Sequence, residues 1–244
     1  MHMSVRNYFI KFNEPIEKRV PYMYLDVKGL VTIGVGNLID VENGTPDKVL
    51  GEVKKLPFVY KEGEPDAGKS ASSAEIEAEW KVVKKKQEWA KGQLTKFRDL
   101  TKLRLKDTAI DTLALSKLDQ MEQELLRNPA YKDFDSWPAD AQLGLLSMAW
   151  ALGASKLRFG WPNFRAACKG QDFEKAMAEC AISTVGNPGV AKRNTYNQRL
   201  FANAEAVLAN DDKNIASNKV MRMALHFPNM LMKPMKIRGQ RKAV

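Results

Sequence analysis

The chain reads Glu17-Lys-Arg-Val-Pro-Tyr-Met-Tyr-Leu-Asp26-Val-Lys-Gly29-Leu-Val-Thr32-Ile-Gly34-Val-Gly36 between residues 17 and 36, which is the pattern of a β-hairpin. The aromatic and apolar run from Tyr22 to Asp26 predicts one strand, and the β-branched run from Leu30 to Ile33 predicts the return strand. Gly29 predicts the tight turn between them, because glycine adopts a positive φ without steric cost. Gly34 and Gly36 would then let the backbone approach another group closely, such as a ligand.

A helix is expected before the hairpin, from Ser4 to Arg19, with a break or kink at Pro15. Such a helix would bring Glu17 beside the strand that ends at Asp26. Two neighbouring carboxylates are what an enzyme needs to cleave a glycosidic bond, because one gives a proton to the leaving oxygen while the other stays ionised. The alternative is a solvated glutamate and a turn aspartate without a catalytic role.

The spacing of these residues resembles the catalytic motif of phage-type lysozymes. The matching positions are Glu17, Tyr24, Asp26, Gly29, Thr32, Ile33, Gly34 and Gly36, without a gap. Two positions depart from the family pattern, since Lys18 stands where the family has glycine and Asn37 where it has histidine. Glu14 is a rival for the catalytic glutamate but lies at the wrong spacing.

Downstream segments extend the resemblance to residues ~131–205. Trp137–Gly153 resembles the buried central helix of the family, and Asn187–Arg193 resembles the loop and helix start that bring an arginine to the cleft. The resemblance implies an α+β, mostly α, lysozyme-like fold with a small β-hairpin lobe and a larger helical lobe. The implied catalytic domain spans residues 1–210, and its parts are a hairpin lobe at about 1–45, a helical insertion at about 46–130 and a helical lobe at about 131–210.

The resemblance also implies a reaction, the inverting hydrolysis of peptidoglycan between N-acetylmuramic acid and N-acetylglucosamine. Glu17 would be the acid, with a pKa raised by partial burial, while Asp26 and Thr32 would hold the attacking water. An inverting pair has its carboxyl groups roughly 6.5–9.5 Å apart. Arg193 would orient Glu17 or the cleft wall, and Tyr24 and Asn37 would support the site.

Several alternatives stay open at this point. A lytic transglycosylase would need the glutamate but not the water-holding Asp26 and Thr32, and a non-catalytic peptidoglycan-binding module would need none of them. The chain would act in the periplasm or at the cell wall of a target bacterium. It would be either a secreted antibacterial effector, with an immunity protein and secretion machinery as partners, or a phage endolysin.

The composition bounds the class of protein. The 244 residues include 39 basic and 29 acidic side chains, for a net charge of +10, which favours anionic partners such as nucleic acid, anionic lipid or cell wall. No nucleic-acid motif is visible, so we expect no nucleic-acid partner. No apolar run approaches the ~18 residues of a membrane span, and the N-terminus has no apolar signal core. We expect a monomer.

Metal-ligating residues are scarce in this sequence. His2 and His226 are too far apart to complete a site with Cys168 and Cys180, so we expect neither a metal nor another cofactor. The two cysteines are interpreted as buried free thiols, and a disulfide between neighbouring helices is the alternative.

The remaining pattern is helical. Ser72–Glu75 predicts a capping box, followed by one long helix with an apolar stripe from Ile76 to Phe97, a solvated lysine run at 84–86 and a weak point at Gly92. Further helices are predicted over 109–127, 164–168, 173–182 and 193–208. A turn is predicted at 43–46. Residues 211–244 are predicted to form a basic C-terminal extension with a short amphipathic helix at 218–226.

Overall fold

A computed structural model describes residues 1–40, 46–90, 92–209 and 217–220 of the chain. The predicted turn at 43–46 and the predicted basic extension from 211 lie largely outside these residues. The described part is mostly helical with small antiparallel sheets, so the mostly α form of the α+β class is confirmed. The division of residues 1–210 into a hairpin lobe, an insertion and a helical lobe stays a prediction.

The elements follow one another in a simple order. The helices are α1 (Met3–Glu17), α2 (Pro46–Val53), α3 (Ser73–Lys84), α4 (Leu94–Leu100), α5 (Asp107–Leu125), α6 (Ala139–Leu152), α7 (Ala154–Phe159), α8 (Pro162–Lys169), α9 (Phe173–Glu179) and α10 (Val190–Ala209). The strands are β1 (Val20–Leu25), β2 (Val31–Gly34), β3 (Asn37–Leu38), β4 (Phe58–Tyr60) and β5 (Leu103–Leu105). Short 3-10 turns lie at Gln87–Trp89, Pro129–Tyr131 and Phe134–Ser136.

The predicted hairpin is present, and it is extended by a third strand. β1 pairs antiparallel with β2, with Tyr24 opposite Thr32, and Gly29 at the turn has a φ of 75°. β3 then adds to β2, with Ile33 opposite Asn37. The third strand is only two residues long, too short for its sequence to show strand alternation.

The helix α1 does not break at Pro15, because it continues to Glu17, two residues short of the end predicted at Arg19. Pro15 lies in the last turn of the helix, where its missing N–H removes a single backbone hydrogen bond. The helix closes with the Lys18 N–H donating to the Glu14 carbonyl at 2.8 Å. Glu17 is therefore the last helical residue, and two residues separate it from the start of β1 at Val20.

The single long helix expected from Ile76 to Phe97 is also wrong. The capping box at Ser72 and Glu75 is present, but α3 ends at Lys84 and α4 begins only at Leu94. The apolar stripe is nevertheless buried in one core, so the periodicity identified the inward face and missed the breaks. The sequence also missed the two-stranded sheet of β4 and β5 in this region, since each strand has three residues.

Buried side chains form two clusters. One contains residues of α1, the C-terminal half of α5 and all helices from α6 to α10, and the other contains the three-stranded sheet, α3, α4, the β4–β5 sheet and the start of α5. Trp150 of α6 packs against both clusters. α6 is buried from Ala139 to Ala149, as its apolar sequence predicts.

The predicted helices of the C-terminal half are present with small shifts. α8, α9 and α10 correspond to the predicted helices at 164–168, 173–182 and 193–208, although α9 ends three residues early at Glu179. The short helix α7 was not anticipated. Cys168 and Cys180 are buried free thiols, and burial raises the pKa of Cys180 to about 12. Among the described residues, no helix is long and apolar enough to cross a membrane.

The contact between α6 and α10 gives a first testable prediction. A Cβ added at Gly144 would lie 2.9 Å from Cζ of Phe201 on α10, so Gly144→Ala overpacks the core. We expect a loss of about 1–3 kcal/mol in the free energy of unfolding, measured by urea titration.

Gly51→Ala is the matched control, because Gly51 is an exposed residue of α2 and a Cβ there meets nothing within 4 Å. Replacing a helical glycine with alanine in open space stabilises by about 0.5–1 kcal/mol. Equal effects of the two substitutions would contradict the packing described for Gly144.

Candidate active site

A buried arginine organises the site. Arg193, in the first turn of α10, is only 1% exposed through its side chain. Its Nη1 donates to Asn13 Oδ1 at 3.0 Å, to the Ser147 carbonyl at 3.0 Å and to Ser147 Oγ at 2.8 Å, and its Nη2 donates to the Glu17 carboxylate. One guanidinium thus joins α1, α6 and α10. Because Asn13 Nδ2 donates to the Phe9 carbonyl at 3.1 Å, the amide oxygen is held towards the arginine.

Two opposing effects act on the pKa of Arg193. Burial lowers the pKa of the guanidinium, and the adjacent Glu17 carboxylate acts in the opposite direction. Arginine starts from so high a pKa that it remains protonated in proteins. The site therefore contains a permanent buried cation whose only acidic partner among the described residues is Glu17.

Glu17 itself is 29% exposed through its side chain. Its carboxylate lies against the turn between β2 and β3, where a Cβ on Gly36 would come within 3.0 Å of Glu17 Oε2 and 3.2 Å of Trp150 Nε1. Gly36 also has a φ of 83°, so both the space and the backbone conformation require glycine. The close approach expected for Gly36 is thus to the carboxylate of Glu17 and the indole of Trp150, whose Nε1 donates to the Val35 carbonyl at 3.0 Å.

Lys18 follows Glu17 in a backbone conformation that side chains rarely adopt. Its φ is 64° and its ψ is 164°, a region populated almost only by glycine. Glycine would adopt this conformation without strain. A non-glycine residue held there costs about 1–3 kcal/mol.

Asp26 and Thr32 meet at the carbonyl of Leu30. The Asp26 N–H donates to that carbonyl at 3.0 Å, and the Thr32 hydroxyl donates to it at 3.1 Å. Asp26 Oδ1 accepts from the Lys28 N–H at 2.8 Å and from the Leu30 N–H at 2.9 Å, which holds the carboxylate over its own turn. Oδ2 takes no part in these two bonds. Because the hydrogen of the Thr32 hydroxyl is directed to the carbonyl, the oxygen of that hydroxyl is left to accept.

Tyr24 is the tyrosine predicted to support the site. It is buried on β1 opposite Thr32. Burial raises the pKa of its phenol, and the negative charges of Glu17 and then Asp26 raise it further. Asn37 is buried at the start of β3, where its Oδ1 accepts from the Val35 N–H at 3.3 Å and packs beneath Gly34. Its Nδ2 has no hydrogen-bond partner within the described part of the chain.

Glu14, the rival carboxylate, has a different partner. It pairs with Arg19 at 2.5 Å, and Arg19 also binds Asp111 at 2.6 Å and Asp107 at 3.3 Å. This is a network of three acids around one arginine on the surface. The structure thus groups Glu17 with Arg193 and separates Glu14 from them.

Three supporting residues were missed by the sequence analysis. Asp40 is buried and accepts from the Val31 N–H at 3.0 Å, and Lys84 of α3 donates to Asp40 Oδ2 at 2.5 Å and to the Gly29 carbonyl at 3.1 Å. Gln87 donates to the same Gly29 carbonyl at 3.1 Å. The lysine run at 84–86 was expected to be solvated, but Lys84 binds the hairpin turn. No local signal links Gly29 to residues more than 50 positions away.

Asn13 and Ser147 were also missed, although their sequence context contains a signal. Each is a polar residue among apolar ones, Asn13 after Phe9 and Phe12 and Ser147 within the apolar run of α6. A polar side chain at a core position needs a hydrogen-bond partner. That reasoning would have marked both as partners of some buried polar group without identifying Arg193.

Comparison with known proteins adds no assignment. No family model matches the chain, and no curated protein matches it significantly. Within the described ranges, no group of three or more histidine, cysteine, aspartate or glutamate side chains is arranged to hold a metal ion.

The arginine cluster gives the second prediction. Arg193→Met removes the donor that satisfies Asn13 Oδ1 and Ser147 in the core, so we expect a loss of about 3–5 kcal/mol in the free energy of unfolding. Chemical denaturation followed by tryptophan fluorescence measures it. Arg199→Met, at a half-buried position on the same helix, is the control and should change stability by less than about 1 kcal/mol. Similar losses for both variants would argue against a central role for Arg193.

The contacts of Lys84 with Asp40 and the Gly29 carbonyl give the third prediction. Lys84→Met removes the ammonium that binds Asp40 and the Gly29 carbonyl, so the hairpin should open locally more often. We expect roughly tenfold faster hydrogen exchange at the Leu30 and Val31 amides. Lys85→Met, at the exposed neighbouring position, should leave exchange unchanged. Unaltered protection of these amides in Lys84→Met would show that the hairpin turn is stable without the contacts of Lys84.

Proposed function

We propose that this chain is a peptidoglycan hydrolase with a lysozyme-like fold, which cleaves the bond between N-acetylmuramic acid and N-acetylglucosamine with inversion. The observation that supports it best is the position of Glu17. This carboxylate is held at the end of α1 by a buried arginine, yet remains partly exposed beside the hairpin that carries Asp26 and Thr32. The motif spacing and the geometry therefore point to the same residues.

The proposed mechanism gives separate roles to Glu17, to the pair Asp26 and Thr32, and to Arg193. Glu17 donates its proton to the glycosidic oxygen as the bond to the anomeric carbon breaks. A water molecule, held by Asp26 and the oxygen of Thr32, attacks that carbon from the opposite face, and its proton passes to Asp26. Arg193 fixes the position of Glu17. The net charge of +10 favours approach to an anionic cell-wall polymer.

This proposal implies where the protein acts. Its substrate is the peptidoglycan layer of a target bacterium. Delivery by secretion machinery, with an immunity protein protecting the producer, and release as a phage endolysin are both compatible with this chemistry. Neither route changes the roles of Glu17, Asp26 and Thr32.

The fourth prediction concerns the acid. Glu17→Gln retains a side chain of the same shape but no proton of suitable acidity, so we expect release of soluble muropeptides from purified peptidoglycan to fall at least about a hundredfold. Circular dichroism should show an intact fold. Glu14→Gln is the matched control and should retain activity. Loss of activity in Glu14→Gln with retention in Glu17→Gln would reverse the assignment.

A lytic transglycosylase is the second candidate, and one observation favours it. The hydrogen bonds of Asp26 and Thr32 within their own turn give both residues a structural role independent of water activation. The products distinguish the two reactions, since hydrolysis leaves a reducing muramic acid end and transglycosylation leaves an anhydro end. Mass spectrometry of the released muropeptides should show reducing ends, and Asp26→Asn should abolish them.

A further inference from the structure

The residue after the proposed acid is a lysine in a conformation that favours glycine. Lys18 has a φ of 64° and a ψ of 164°, and its side chain is exposed. Only two other non-glycine residues of the described chain have a positive φ, Trp161 and Gln171. Lys18 is thus one of few strained positions, and the only one of the three beside a residue of the candidate active site.

The neighbouring contacts explain why the backbone adopts this conformation. The Lys18 N–H closes α1 on the Glu14 carbonyl, and Arg19 is bound by three carboxylates. The chain then enters β1 at buried Val20, which pairs with Gly34. Only two residues connect α1 to β1, so the fixed positions of this helix and this strand determine the conformation of the turn. Glycine would adopt the conformation of this turn without strain. The backbone conformation therefore does not account for a lysine side chain at this position.

The charges around Glu17 suggest a reason for the lysine. Arg193 already binds Glu17 inside the protein, while Lys192 donates to the Pro15 carbonyl at 2.9 Å. The Lys18 ammonium makes no hydrogen bond or ion pair within the described residues. An exposed cation one residue from the acid is therefore available to a ligand. Because strain persists mainly at functional sites, this position is a candidate for substrate contact.

We propose that Lys18 is a substrate-binding residue that contacts a carboxylate of the muramic acid unit next to the scissile bond. This inference rests on the proposed function and specifies which half of the substrate the site recognises. The muramic acid unit carries a lactyl group whose carboxyl, or the peptide attached to it, is the anionic part of the repeat. The N-acetylglucosamine unit is neutral. A cation beside Glu17 thus distinguishes the two sugars by charge.

The test compares three substitutions at one position. Lys18→Gln removes the charge and keeps the strain, Lys18→Gly removes both, and Lys18→Arg keeps both. We expect Lys18→Gln and Lys18→Gly to raise the KM for peptidoglycan about fivefold with little change in kcat, and Lys18→Arg to stay near the wild type. The wild-type KM should rise with salt, and this dependence should weaken in Lys18→Gln. Sedimentation with insoluble peptidoglycan should show matching losses of affinity.

Two controls separate charge from strain. Lys169→Gln removes an exposed charge at the end of α8, which contributes nothing to the site, and should leave KM unchanged. Gln171→Gly relieves a positive φ of 52° between α8 and α9, also without an effect on KM. Lys18→Gly should raise the melting temperature by about 2–4 °C, since it relieves strain. A Lys18→Gly variant no more stable than the wild type would contradict the argument from strain.

The outcomes for the two proposals can be told apart. A wild-type protein that binds peptidoglycan but releases no muropeptides refutes the proposed hydrolase, and the sedimentation assay still decides the role of Lys18. Wild-type KM and binding in Lys18→Gln overturn the role of Lys18 while leaving the hydrolase intact. A kcat loss without a KM change in Lys18→Gln would also overturn it, because Lys18 would then act through Glu17 and not on the substrate.

Discussion

The guanidinium of Arg193 is the interaction on which the rest of the site depends. A buried cation is tolerated only when its donors are satisfied, and here they are satisfied by residues of α1 and α6. The helices must therefore pack so that Asn13, Ser147 and Glu17 surround one group. Because these helices also form the larger hydrophobic cluster, the position of Glu17 follows from core packing and not from the flexibility of a surface side chain.

The hairpin depends on contacts from a different part of the chain. Asp26 and Thr32 are positioned within their own turn through the Leu30 carbonyl, but the turn is held from outside by Lys84 and Gln87. Lys84 and Gln87 therefore support the hairpin, and buried side chains of α3, α4, β4 and β5 share its core. The two halves of the site meet at Trp150, which packs in both clusters and donates to the Val35 carbonyl in the turn that faces Glu17.

The sequence predicted the parts of this structure that local pattern controls. The hairpin, the capping box at Ser72 and the buried helix α6 each have a strong signal in neighbouring residues, and each is confirmed. The breaks in the helix after Lys84 were missed because the apolar stripe continues across them, and the short strands β3, β4 and β5 leave no period to detect. In the site, Arg193 was expected to orient Glu17 or the cleft wall, and it contacts Glu17. The brace from Lys84 to Asp40 could not be predicted, since only the tertiary fold brings residues 44 positions apart together.

The two glutamates of α1 form ion pairs that differ in burial and in the number of acidic partners. Glu14 and Arg19 are both partly exposed, and Asp107 and Asp111 share the same arginine, so that network has an excess of acid. Glu17 instead has one fully buried cation to itself, while its own carboxylate is 29% exposed. A pair that served only stability would gain nothing from this asymmetry, because desolvating an arginine is costly and an exposed partner repays less of the cost. The asymmetry is useful when one side of the carboxylate must be fixed and the other must meet a substrate. That is the requirement for a positioned general acid, the role proposed for Glu17, and the carboxylate of Glu14 has no such arrangement.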